Sequence, residues 1–107
     1  MIVLTPNSLM IVRIVTMQFQ SDKIATFKTL FDERKEKIRQ FPGCYYLELL
    51  QGENDKHIFK TYSHWESEDH LNAYRHSELF AETWKLTKAM FAAKPKAISL
   101  QRLHKLK

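Results

Sequence analysis

The sequence predicts an α+β domain: an antiparallel four-stranded sheet with helices packed on one face. Three observations predict it. Apolar residues alternate or run together over four short segments, which is strand patterning. Two longer stretches between them carry apolar residues at helical spacing. Only two Gly and three Pro occur in 107 residues, so the connections must be short.

The first strand runs from Met10 to Phe19 and is apolar on both faces. Ile11, Val15, Met17 and Phe19 share one face, interrupted by Arg13; Met10, Val12 and Ile14 share the other. A strand of this kind needs a cover on each side. Ser21 or Asp22 can cap the helix that follows. Ile24, Phe27, Leu30, Phe31, Ile38 and Phe41 mark its inner face, and the mixed charges from Asp32 to Lys37 its solvated one. Pro42-Gly43 stops it.

Cys44 to Leu50 alternates as a strand, Gly52-Glu53-Asn54-Asp55 is a turn, and His57 to Trp65 returns, so the pair forms a hairpin. Ser67 caps a short helix to about Arg75. Ser77 caps a longer one, with Leu79, Phe80, Thr83, Trp84, Met90 and Phe91 inward. Lys94-Pro95 ends it, and Lys96 to Leu103 is the last strand, with Ile98 and Leu100 on one face.

This order is the ferredoxin-like β-α-β-β-α-β arrangement. Helices cover only one side of such a sheet, so the two-faced first strand leaves an apolar patch on the other. A second copy packed sheet to sheet would bury it, and a homodimer is expected on that ground.

The length fits one domain, residues 10–107, able to bury about two-thirds of its unfolded surface. Residues 1–9 read as an extension: Met10-Ile11-Val12 repeats Met1-Ile2-Val3, and Met1 to Leu9 lacks the basic start of a signal peptide. Apolar content of 44%, with seven Phe, four Tyr and two Trp, excludes a disordered chain. Cys44 is the only cysteine, so an intrachain disulfide is excluded and a reducing, cytoplasmic setting is expected. No apolar run approaches the ~20 residues of a membrane span.

The net charge of +5 raises the question of nucleic acid. Lys94, Lys96, Arg102, Lys105 and Lys107 crowd the last fourteen residues, which hold no Asp or Glu; without those five, basic and acidic residues balance. An edge strand protected by lysines explains this, and no nucleic-acid partner is expected. The RNA-recognition fold has the same topology, but Ile58-Phe59-Lys60-Thr61-Tyr62 lacks its aromatic strand motif.

Candidate chemistry centres on Trp65. A Trp at a strand end is ordinarily a core aromatic; beside Phe59, Thr61 and Ser63 on a helix-facing side it would instead line a sheet–helix cleft, the usual place for a small ligand. His64, His70 and His76 are spaced by six, but six residues on a helix turn about 240°, so His70 and His76 cannot share a face, and no metal site is expected. Either could still act as a base, since imidazole titrates near neutrality. Tyr74 is either a half-buried aromatic or a cleft residue, and Trp84 either core or cleft roof. Cys44 has no cation cluster or helix start beside it and reads as buried and inert. Gly-rich phosphate loops and the nucleophile elbow are absent from the sequence.

From Met10 to about Leu103 the chain resembles the antibiotic biosynthesis monooxygenase (ABM) domains. The residues that carry the resemblance are the opening strand, Phe41-Pro42-Gly43-Cys44, the hairpin, Trp65-Glu66-Ser67, Ser77 to Phe80 and the strand after Lys94-Pro95. The resemblance implies a homodimer closing into an α+β barrel. It also implies cofactor-independent oxygenation of a small aromatic quinol or phenol; a protein of this fold that only binds a small aromatic molecule is the alternative. The haem-degrading branch would need an Asn, a Trp and a His where this chain has Thr16, Tyr74 and Trp84, so haem cleavage does not carry over. The antibiotic-tailoring branch matches at Trp65, with Thr61 where it uses Asn and Tyr74 where many relatives have His. On this reading Trp65, Tyr74, His70 and His76 are the candidate catalytic residues, and Phe59, Thr61, Thr16 and Trp84 the candidate substrate-binding ones.

Overall fold

Strand β1, Ile11–Gln18, lies at the centre of the computed structural model, which describes residues 10–106. The extension expected at residues 1–9 lies outside the described residues. A 3-10 turn at Ser21–Lys23 leads into helix α1, Ile24–Arg39. Strands β2, Cys44–Gln51, and β3, Ile58–Trp65, form the hairpin. Helices α2, Glu68–Arg75, and α3, Glu78–Lys88, follow, and β4, Lys96–Gln101, completes the order β-α-β-β-α-α-β.

The sheet order is β2-β3-β1-β4 and every neighbour is antiparallel, so the fold is the ferredoxin-like α+β arrangement. Ile11 pairs with Trp65 and Met17 with Phe59, which sets the large apolar residues of the two central strands side by side.

Helix starts divide into two kinds. Ser67 and Ser77 cap α2 and α3 as expected: their hydroxyls accept from the backbone N–H of His70 (3.2 Å) and Phe80 (3.1 Å). The cap expected from Ser21 or Asp22 does not form. Ser21 Oγ is instead hydrogen-bonded to His57 Nε2 at 2.8 Å, tying the turn to the hairpin, and α1 begins beyond it with no side-chain cap. At the other end of α1, Gly43 adopts φ +89°, a left-handed conformation open to glycine.

The core is divided. One cluster holds Ile11, Cys44, Trp65 and Leu71, with Phe41 and Tyr74 against it. The other holds Met17, Phe19, Phe27 and Phe59. Between them, on the helix-facing side, β1 and β3 carry Arg13, Val15, Thr61 and Ser63, which line a cavity instead of filling it. Among the described residues no helix covers the far side of the sheet, and Tyr46, Leu50, Ile98 and Leu100 there are each 40–50% exposed.

Candidate functional site

Side chains alternate along a strand, so the residues between the two clusters face the helices together. Because three of the four are polar or small, the middle of the sheet cannot seal against α1 and α3. A cleft of about 330 Å³ remains, in the size range of small-ligand sites.

One wall is a continuous aromatic run. Trp65 stacks on Tyr74 with ring centroids 4.9 Å apart; Tyr74 meets the edge of Phe80 at 5.2 Å; Phe80 stacks on Trp84 at 5.7 Å. The α2–α3 break makes this possible. Ser77 Oγ accepts from Phe80 N–H and donates to the Tyr74 carbonyl at 2.6 Å, so the cap itself sets Tyr74 and Phe80 side by side.

Trp65, 1% exposed, donates its indole N–H to Ser63 Oγ at 3.0 Å, and Ser63 reaches the Arg13 carbonyl. It therefore offers the cleft a ring surface and no donor. Burial pushes the Tyr74 phenol well above its ordinary range, with a smaller contribution from Cys44. Near neutrality Tyr74 is a neutral hydrogen-bond donor, not a base. Burial also raises the Cys44 thiol, in keeping with an inert residue.

Of the residues expected from sequence, Trp65, Tyr74, Thr61 and Trp84 meet in the cleft. Four do not line it. Thr16 follows Arg13 and Val15 out of phase and lies on the opposite face of the sheet, opposite Lys60 and Lys96 in register. Phe59 is 1% exposed and packs on Phe19 and Phe27 in the second cluster. His70 packs over Gly43, with Nδ1 hydrogen-bonded to Ser67 Oγ (2.7 Å) and Nε2 3.5 Å from the Glu66 carboxylate. His76 directs Nδ1 to the Asn72 carbonyl at 2.7 Å. Both imidazoles are committed to the backbone and neighbours of α2.

Five polar cleft residues fall outside the site residues expected from sequence: Arg13, Arg75, Thr83, Thr87 and Ser63. Of these, the sequence places Thr83 and Ser63 only on a helix face and a strand face. Arg13 had a signal, a charge at the centre of an otherwise apolar strand face. Thr87 is buried and donates to the Thr83 carbonyl at 2.7 Å, while Thr83 Oγ1 is buried with no partner among the described residues. Arg13 donates to Ser99 Oγ at 2.9 Å, and its pKa is lowered, first by burial and then by the charge of Arg75.

The antibiotic biosynthesis monooxygenase family matches residues 10–86, and the chain belongs to it. None of the curated proteins matches. Among solved structures, a conserved protein from Methanosarcina mazei Go1 is 19% identical, covering 90% of this chain and 95% of its own, with a TM-score of 0.84. An antibiotic biosynthesis monooxygenase is 20% identical over 88% of this chain and 99% of its own, with a TM-score of 0.82. The protein PA3566 from Pseudomonas aeruginosa is 20% identical, covering 94% of this chain and 100% of its own, with a TM-score of 0.81. At these identities the likeness shows the fold. Among the described residues, no helix is long and apolar enough to cross a membrane.

Proposed function

We propose that the cleft binds a small electron-rich phenol or quinol and that the protein oxygenates it without metal or flavin. The observation that carries this reading is the aromatic wall Trp65–Tyr74–Phe80–Trp84 along a cleft of about 330 Å³; membership of the monooxygenase family supports it.

The substrate itself supplies the electrons. Its anion gives one electron to dioxygen, the two radicals combine to a peroxide, and loss of water leaves a quinone: one phenol and one dioxygen become one quinone and one water. The protein orients the ring, excludes water and stabilises the anion. Trp65 and Trp84 hold the ring, Thr61 borders it, and Tyr74 donates a hydrogen bond to its oxygen. Among the described residues, no imidazole or carboxylate lines the cleft. Proton loss on this reading comes from the substrate's own acidity.

That same lack of a base favours a second reading, in which the cleft binds a small aromatic molecule without turning it over. Oxygen uptake with a panel of quinols and polycyclic phenols separates the two. The proposal expects uptake above spontaneous oxidation, one dioxygen per substrate, lost in Trp84→Ala. Saturable quenching of tryptophan fluorescence with only background uptake would leave the binder.

We further propose a homodimer packed through the uncovered sheet face, on the exposure of Tyr46, Leu50, Ile98 and Leu100. The single buried thiol, Cys44, supports a cytoplasmic setting.

A further inference from the structure

Two arginines line the cleft from unrelated parts of the chain. Arg13 comes from the middle of β1, on the face turned toward the helices. Arg75 comes from the last turn of α2. Each has an ordinary explanation alone: a basic residue in a final helical turn complements the helix dipole, and a long side chain carries its charge out of an apolar layer. Neither explains why the two converge on one cavity.

Convergence is unfavourable in the empty protein. A partly buried cation is normally matched by a carboxylate. Here no Asp or Glu lines the cavity, and neither arginine makes an ion pair among the described residues. The protein contact of the Arg13 guanidinium is the neutral hydroxyl of Ser99 at 2.9 Å, which takes one of its five N–H donors. The pKa of Arg13 is depressed first by its burial and then by the charge of Arg75. A negative group between them would relieve both costs, and low-dielectric walls would focus their field on it.

The anchoring is specific. Ser63 links Arg13 to Trp65: it accepts the indole N–H at 3.0 Å and reaches the Arg13 carbonyl. The cationic and aromatic walls are thus held in one register.

We propose that the cleft is selective for an aromatic oxyanion, a ring bearing a carboxylate or an ionised phenol, whose charged oxygens lie between Arg13 and Arg75 while the ring lies along Trp65 and Trp84. The inference rests on the aromatic-cleft reading above and deepens it. It also supplies what the cleft lacks: two cations acidify a bound phenol, so no protein base is required.

The test is binding, read by tryptophan fluorescence and calorimetry, with 2-naphthoate, its neutral amide and a nitrophenolate ionised at neutral pH. Wild type is expected to bind an anion at least roughly tenfold more tightly than the amide, as charge-assisted hydrogen bonds allow, and added salt should erode that preference. Arg75→Gln and Arg13→Gln should each reduce it while leaving amide affinity unchanged, and Arg75→Lys should keep part of it. The anion that shows the preference identifies the oxyanion class. Arg75 is exposed, so its variants test the clamp even where Arg13→Gln fails to fold. Equal affinity for amide and anions, or a preference that survives both glutamine substitutions, overturns the clamp and leaves the aromatic cleft standing. If none of the three probes binds, both fall.

Discussion

Trp65 does two jobs with one side chain. Its indole N–H is satisfied by Ser63, and its ring closes one core cluster while offering a face to the cleft. Truncation to alanine should therefore cost about 3–5 kcal/mol of stability, read by urea titration, so lost activity in that variant would say little about chemistry. Trp84, less buried and at the far end of the same aromatic wall, is the cleaner probe. Tyr74 makes a sharper prediction. Its folded pKa is raised, chiefly by burial, so the stability it contributes is present below its unfolded value of about 10 and lost as pH rises through the folded one. Tyr74→Phe should blunt alkaline unfolding above about pH 10, followed by near-ultraviolet absorbance, while lowering turnover at neutral pH through loss of the donor.

At the scale of elements, the two serine caps and the glycine stop shape the site. Ser77 caps α3 and also braces Tyr74 through its carbonyl. Ser77→Ala should cost about 1 kcal/mol and should loosen the Tyr74–Phe80 contact, visible as a shift in the aromatic proton spectrum. Gly43 is constrained twice: its φ is +89°, and a methyl there would meet the His70 ring and Cβ at 2.5 Å. Gly43→Ala should destabilise by about 1–3 kcal/mol, measured by thermal melting, and more than a Ser21→Ala change, since Ser21 caps no helix.

For the whole molecule the open question is the second face of the sheet. If a second copy covers it, Leu100→Asp should convert a dimer to a monomer in sedimentation equilibrium without unfolding the domain; an unchanged mass would reject that interface. The same face carries a pH-sensitive contact. His64 accepts from Arg102 through Nδ1, which requires a neutral imidazole. Burial, then Arg102 and Lys105, lower its pKa, against a smaller opposing contribution from Glu48. Its contribution to stability is complete above the unfolded value near 6.5 and is lost as pH falls through the folded one. Stability should thus fall as pH drops below about 6.5, and His64→Gln should flatten that slope.

The order of elements, the turns, the Ser67 and Ser77 caps, the two-faced first strand and the burial of Cys44 were legible in the sequence, because period, turn chemistry and capping act over a few residues. The Ser21 cap was not, since its hydroxyl is claimed by His57 across the fold. The site was half legible. Trp65, Tyr74, Thr61 and Trp84 carry visible aromatic or positional signals. Thr16 is removed from the cleft by the strand's period of two, Phe59 by packing into the second cluster, and His70 and His76 by hydrogen bonds that point their rings elsewhere. Arg13 and Arg75 could be paired only by the fold. A strand and a helix far apart in sequence are brought to one cavity by antiparallel pairing and helix packing, and like charges carry no sequence pattern that announces their meeting.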